Sequence, residues 1–248
     1  MDGLSASIGD EWRQGRTLYG GLSAALCVEA AARALPEPRP LRSAQFAFAG
    51  PASGTVTARP TILRQGKSTI FVSVDLHGDA GLATRATLCF AADRTSSIAY
   101  ANLPMPETPP PEDCPDFFNN PGAPAFSVNF ESKRIRRPRN AAGERDPELV
   151  LWIRHRDPDI APTATALVAL ADAAPPAAML LMKTPGPIST MTWSLDLLTD
   201  PAQAAPGWIL MRSTALVAAD GYSTQTMTLW DSAGRPLVSA TQNVAVFV

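Results

Sequence analysis

The sequence predicts an α+β fold assembled from two copies of one unit, a long helix followed by an antiparallel meander. Three features carry that reading: a proline-rich segment near the middle, an Ala/Leu-rich run in each half, and regularly spaced glycines after each run. A single long helix for a sheet of about five strands implies a helix laid against a curved sheet.

The divider is Leu-Pro-Met-Pro-Glu-Thr-Pro-Pro-Pro-Glu-Asp-Cys-Pro at residues 103–115, which holds six of the 24 prolines. Fixed φ and missing donors exclude helix and central strand there, so 103–124 reads as an extended linker. It separates an N-terminal unit, 1–102, from a C-terminal unit, 125–248. In the first unit Leu18 to Leu35 is free of proline, with Leu18, Leu22, Ala25, Leu26 and Ala30 near helical spacing, and Pro36 and Pro38 stop it. Strand-like segments follow at Leu41–Phe48, Thr55–Arg64, Ser68–His77 and Leu82–Ala91, separated by turn residues such as Gly50-Pro51, Gln65-Gly66 and Gly78-Asp79-Ala80-Gly81. The second unit repeats the pattern. Thr163 to Met182 reads as its helix, stopped near Pro185-Gly186-Pro187, and strand-like segments recur at Ile188–Leu198, Trp208–Ala218, Ser223–Asp231 and Pro236–Phe247. Gly54, Gly66 and Gly78 are spaced 12 and 12 apart, and Gly207, Gly221 and Gly234 are spaced 14 and 13. Two strands, Ala125–Ile135 and Glu148–Arg156, precede the second helix; before the first, only a short segment around Glu11–Thr17 is available.

Scarce residues narrow the chemistry. The 248 residues are 46% hydrophobic and 18% charged, with a net charge of -2, so no global charge points to nucleic acid. No apolar run reaches the roughly 18 residues of a membrane helix, and Met1-Asp2-Gly3-Leu4 does not open like a secretory signal. A soluble cytoplasmic protein is expected, with no membrane partner. Two histidines, His77 and His155, cannot build a three-histidine zinc site. The three cysteines are odd in number and far apart, which argues against a disulfide framework. Cys27 and Cys89 lie in apolar segments and read as core; Cys114, in the linker, reads as exposed. There is no G-x-S-x-G elbow, and Gly66-Lys67-Ser68 reads as a hairpin turn rather than the tail of a phosphate loop. Any catalysis is left to carboxylates, hydroxyls, amides and backbone N–H groups, with no cofactor and no metal called for.

The arrangement resembles the double hotdog fold, in which two units, each a curved sheet wrapped on a helix, pair into one continuous sheet. The motifs resemble the acyl-CoA thioesterase II family, the TesB-like thioesterases. Tyr19-Gly20-Gly21 is similar to its aromatic-Gly-Gly at the first helix, and Leu63-Arg64-Gln65-Gly66-Lys67-Ser68 to its hairpin between two long strands. Trp152-Ile153-Arg154 also fits the family pattern. The order and spacing of these motifs carry the resemblance from about residue 18 to the C-terminus. It implies a catalytic trio: Asp172 in Leu170-Ala171-Asp172, Thr190 in Ile188-Ser189-Thr190, and Gln242 in Ser239-Ala240-Thr241-Gln242. It implies substrate binding at Tyr19, Gly20 and Gly21, acyl-CoA as partner, a place in fatty acid metabolism, and a homodimer. One departure is visible: the family's Asp-His pair just after the Thr is replaced by Thr192-Trp193.

Physical chemistry offers each residue two readings. Asp172 stands in an apolar helical run, where burial raises a carboxyl pKa into the range of a general base; it can also simply end a helix ahead of Pro175-Pro176. Thr190 and Gln242 can hold a water against that carboxylate, or serve as a strand former and an edge residue. Gly20-Gly21 can let a thioester carbonyl approach the helix N-terminus, with the N–H near Gly21 as oxyanion donor, or can form a tight turn. Lys133, Arg134, Arg136, Arg137 and Arg139 can meet coenzyme A phosphates or form a charged strand edge. The rival functions are an acyl-thioester-binding protein without turnover and a hydratase or dehydratase pairing Asp172 with His155. Hydrolysis by Asp172-activated water, or by direct attack of Asp172, is the reading the trio supports.

Overall fold

Period-two alternation after each helical run builds the sheet. In the segment Thr69–Gly78, Ile70, Val72, Val74 and Leu76 are fully enclosed while Phe71, Ser73 and Asp75 face the other way. The computed structural model describes residues 3–119, 122–135, 146–184 and 186–247. In chain order the elements are β1 (Leu4–Ser7), β2 (Arg13–Gln14), β3 (Thr17–Leu18), α1 (Gly20–Ala34), β4 (Leu41–Phe48), β5 (Thr55–Gln65), β6 (Thr69–Gly78) and β7 (Gly81–Ala91). Then come β8 (Phe130–Arg134), β9 (Glu148–His155), α2 (Ala164–Ala171), β10 (Ile188–Leu197), β11 (Ile209–Ala219), β12 (Tyr222–Asp231) and β13 (Pro236–Val246).

Eleven strands form one antiparallel sheet in the order β1-β5-β6-β7-β4-β10-β13-β12-β11-β9-β8, and β2-β3 is a separate small hairpin. The seam is β4 against β10, with Phe46 opposite Trp193. From that seam the first four strands follow the same order in both directions. The first strand after each helix is central, and the fourth, third and second follow outward: β4-β7-β6-β5 and β10-β13-β12-β11. Gly54 and Gly207 precede equivalent strands, and both have positive φ, as their turns require. Helix α1 packs on β5, β6 and β7 and against α2. Its enclosed face is mostly small, with Ala24, Ala25, Cys27, Ala30 and Ala31 nearly inaccessible, so its backbone lies close to what it covers. Among the described residues no helix is long and apolar enough to cross a membrane.

Several expectations are corrected. The second helix is 8 residues, ending at Ala171 rather than near Met182. Pro175 and Pro176 have no N–H to continue the ladder, and a short 3₁₀ turn, Ala177–Leu181, follows them instead. Residues 125–135 split into a 3₁₀ turn, Ala125–Asn129, and the short β8. The segment around Glu11–Thr17 is not one strand but a 3₁₀ turn at Asp10–Trp12 leading into the β2-β3 hairpin. β1, pairing with β5, was not legible at all. Cys89 sits on the outward side of β7 between buried Leu88 and Phe90, so it is only half-buried.

The proline-rich segment is extended as its composition requires, yet it is held against the sheet. Prolines donate nothing, but their carbonyls accept, and two indoles use them or their neighbours. Trp230 Nε1 donates to Leu103 O at 2.7 Å, and Trp152 Nε1 to Pro109 O at 2.9 Å. Cys114 is thereby buried rather than exposed, in a small cluster with Ile135, Val150 and Trp152.

Candidate active site

Helix α1 begins at Gly20 with no side-chain cap of its own. The first intrahelical bond is Ser23 N–H to Tyr19 O, which leaves the N–H groups before it without partners in the helix. Helix α2 ends nearby, and its last cap is Asp172, at φ -94 and ψ 1, the bridge region that many active-site residues occupy. The carboxyl of Asp172 therefore lies at the positive end of α1, where a negative charge is favoured. Tyr19 fixes the meeting of the two helices: its hydroxyl donates to Ala169 O at 2.7 Å, and its ring stacks on Phe126 at a centroid distance of 4.0 Å.

Both glycines are needed for close approach rather than for a left-handed turn, since neither has positive φ. A Cβ on Gly20 would stand 2.8 Å from Asp172 Oδ2 and 3.5 Å from Phe48. A Cβ on Gly21 would meet the Tyr19 hydroxyl and stand 2.7 Å from Ala169 O. The Gly21 N–H faces the Asp172 carboxyl and favours its charged form, less than Gln242 does.

Thr190 and Gln242 reach Asp172 from the sheet. Gln242 Nε2 donates to Asp172 Oδ1 at 2.8 Å and to Thr190 Oγ1 at 3.0 Å. A register shift between Thr190 and Thr192 makes this possible. Gln242 pairs with Trp193 and Val244 pairs with Thr190, so all four share one face. Strict alternation back from Trp193 would turn Thr190 outward; the extra residue, Met191, turns it in. Burial pushes the Asp172 carboxyl up to about 7, against the Gln242 and Gly21 donors, which favour its charged form. Burial, helped by the nearby Asp172, likewise holds the Tyr19 hydroxyl well above its usual value.

A cavity of about 840 Å³ opens onto this cluster, within the range of small-molecule sites. Asp172, Thr190, Gln242 and Gly20 line it together with Phe48, Phe117, Phe118, Phe126 and Ile188, so a polar centre faces apolar walls. The exposed Arg16 also lines it. The structure thus brings Asp172, Thr190, Gln242 and Gly20 together at one cavity, with Tyr19 and Gly21 directly behind.

Other candidates lie elsewhere. His155 places Nε2 2.9 Å from Ala166 O and packs on Phe130, and neither histidine lines the cavity. Lys133 pairs with Asp116 at 2.7 Å, and Arg134 lies over the Phe117 ring. Arg136, Arg137 and Arg139 lie outside the described residues. Among the described residues no group of three or more His, Cys, Asp or Glu could hold a metal ion.

One residue escaped the sequence reading. Gln225 is 1% exposed and donates from Nε2 to Gln242 Oε1 at 2.6 Å, while its own Oε1 accepts the Ala177 N–H at 2.8 Å. It stands directly opposite Gln242 in the β12-β13 register. The signal was present: Gln225 shares parity with Met227 and Leu229, a polar residue on an apolar face.

Residues 8–91 match the acyl-CoA thioesterase N-terminal domain, and residues 106–246 match the acyl-CoA thioesterase C-terminal domain. No curated protein sequence matches the chain. Among solved structures, a conserved protein of unknown function with hot dog fold from Alicyclobacillus acidocaldarius superposes with a TM-score of 0.89 at 25% identity, over 100% of this chain and 94% of that one. Acyl-CoA thioesterase II TesB2 from Mycobacterium marinum superposes at 0.76 and 17% identity, over 98% and 92%. The dehydratase domain of RzxB from Pseudomonas fluorescens superposes at 0.59 and 13% identity, over 97% and 92%. The fold is therefore the hotdog. Since that fold also carries a dehydratase, the site must decide the chemistry.

Proposed function

Because the chain belongs to the acyl-CoA thioesterase family, matched in both of that family's domains, we propose that it hydrolyses acyl-CoA thioesters to free acid and coenzyme A with water activated by Asp172. The observation that carries this reading is the contact of Asp172 with Gln242 at an apolar cavity, with Thr190 bonded to the same amide. A carboxyl raised to about 7 is a base matched to neutral pH. Dehydration of the Asp–His type has less support, because both histidines lie off the cavity.

In the proposed step a water held between Asp172 and Thr190 attacks the thioester carbonyl, and its proton passes to Asp172. Negative charge moves from the carboxylate to the carbonyl oxygen in the same event. Once protonated, Asp172 loses its hold on the Gly21 N–H, and that donor becomes free for the oxyanion at the start of α1. Collapse of the intermediate breaks the C–S bond, and the proton on Asp172 returns to the departing thiolate. A thiolate leaves readily, so no histidine acid is required. The apolar walls from Phe48 to Ile188 are assigned to the acyl group.

The same reading takes the fold as a double hotdog, with units 1–102 and 125–248 joined by 103–124. The identical strand order on either side of the β4/β10 seam supports it, as do the two separate domain matches.

Free-thiol release from a panel of short, medium, long and aromatic acyl-CoAs tests the proposal, with Asp172→Asn beside the wild type. Turnover of at least one class, reduced at least about a hundredfold in the variant, is the expected result. Binding of acyl-CoA without hydrolysis of any member would replace the enzyme reading with a binding protein.

A further inference from the structure

The amide side chains beneath Asp172 have a defined direction. A glutamine amide can in principle be turned either way round. Here the Ala177 N–H, a backbone group that can only donate, faces Gln225 Oε1 at 2.8 Å. Gln225 must then present Nε2 to Gln242, which must present Oε1 in return, at 2.6 Å. That leaves Gln242 Nε2, and not its oxygen, facing Asp172 Oδ1 and Thr190 Oγ1. The Thr190 oxygen accepts this bond, so its own proton is left to donate.

The origin of the chain of bonds is the double proline. Pro175 and Pro176 carry no N–H, and Ala177 opens a short 3₁₀ turn, whose first N–H groups have no acceptor within the turn. The feature that cuts α2 short after Asp172 also supplies the donor that orients the partner of Asp172.

We propose that Gln225 is a positioning residue, which locks Gln242 as a hydrogen-bond donor toward Asp172 by relaying the direction of the Ala177 N–H. The proposal rests on the thioesterase reading for its kinetic consequence, though not for its geometry. Without Gln225, Gln242 can turn over and offer Oε1 to Asp172. An oxygen there is satisfied only by the protonated acid, so the carboxyl becomes harder to ionise. Few other groups bear on that ionisation: Tyr19, whose hydroxyl is spent on Ala169, and Arg16, the one other charged residue among the described residues that line the cavity.

The test compares wild type with Gln225→Leu and Gln225→Met, two apolar side chains of similar length. Two readouts are taken: kcat and KM for a hydrolysed acyl-CoA across pH 5–9, and the ionisation of Asp172 followed by its carboxyl ¹³C shift. In whichever variant folds, the Asp172 midpoint should rise by about one unit. At pH 7 kcat should fall about fivefold with KM little changed, and most of that loss should return at pH 9. A purely structural role would lower thermal stability and kcat while leaving the midpoint where it is in wild type; that result overturns the proposal. Wild type inert toward every acyl-CoA would sink the thioesterase reading instead, and the ¹³C titration would still decide the role of Gln225.

Discussion

Asp172 Oδ2 occupies the room that a side chain on Gly20 would need, with the position of such a Cβ 2.8 Å away. One carboxylate from the end of α2 thus serves the uncapped start of α1. The reverse contact exists in weaker form. Glu29 of α1 accepts from Thr165 Oγ1 at 2.9 Å at the start of α2, but α2 is capped by its own Thr163, which accepts from Ala166 N–H. The start of α2 thus has the side-chain cap that the start of α1 lacks, and Glu29 turns its other carboxylate oxygen to the exposed Arg33.

Gly20→Ala and Gly21→Ala should separate catalysis from folding. At Gly20 the new methyl displaces Asp172 while the backbone is ordinary, and what it meets is the end of a side chain rather than backbone. Turnover should drop at least about tenfold with thermal stability unchanged or higher. At Gly21 the methyl meets the Tyr19 hydroxyl and the Ala169 carbonyl, so the fold should lose about 1–3 kcal/mol. Thermal melts beside thiol-release rates read both.

The raised Asp172 carboxyl also sets a pH dependence of stability. Its folded value, about 7, lies above the ordinary aspartate value of 3.8. Between these two values the folded state binds the extra proton, so this contribution is fully present below about pH 4 and is lost as pH rises through 7. Three units correspond to about 4 kcal/mol. Asp172→Asn, which cannot ionise, should therefore melt several degrees above wild type at pH 8 (about 2–4 °C per kcal/mol), a gap that falls by more than half at pH 5 and closes near pH 4. An equal gap at both pH values would show that the carboxyl is not carrying a raised pKa.

Much of the fold was legible because strand periodicity and turn glycines are local signals: β4 runs over Leu41–Phe48 as read, and the hairpin falls at Gly66-Lys67-Ser68. Asp172 was legible as an acid in an apolar run. What was not legible depends on pairing partners. β1 is too short and too polar to announce itself without β5. Cys114 is buried only because Trp152 and Trp230 hold the proline segment down. Thr190 faces inward only because Met191 adds a residue to β10, and alternation alone puts it outside. Gln225 broke its strand's pattern in plain view, but its meaning required Gln242 across the ladder and Ala177 beyond it.

Thr190 can be tested by near-isosteric change. Thr190→Val keeps the branched shape but removes the oxygen that accepts from Gln242 and faces the cavity. Thr190→Ser keeps that oxygen. Turnover should fall about 10- to 100-fold in the valine variant and stay within about fivefold in the serine variant. Equal losses in both would assign Thr190 to packing.

Tyr19→Phe removes the donor to Ala169 O and leaves that buried carbonyl unpaired. The cost should be about 1–3 kcal/mol by denaturant unfolding. Because the ring stack on Phe126 survives, KM should move more than the pH midpoint of Asp172. A stability unchanged within about 0.5 kcal/mol would mean the bond contributes nothing net.

In the proposed mechanism hydrolysis runs through an ionised Asp172. The measurement that tests it most directly is kcat/KM for a hydrolysed acyl-CoA from pH 5 to 9, in wild type and Asp172→Asn. Wild type should show an acid limb with a midpoint near 7 and a plateau above it, and the variant a residual rate without that limb. A wild-type profile that is flat across pH 7, or a variant that keeps both the rate and the limb, would contradict it.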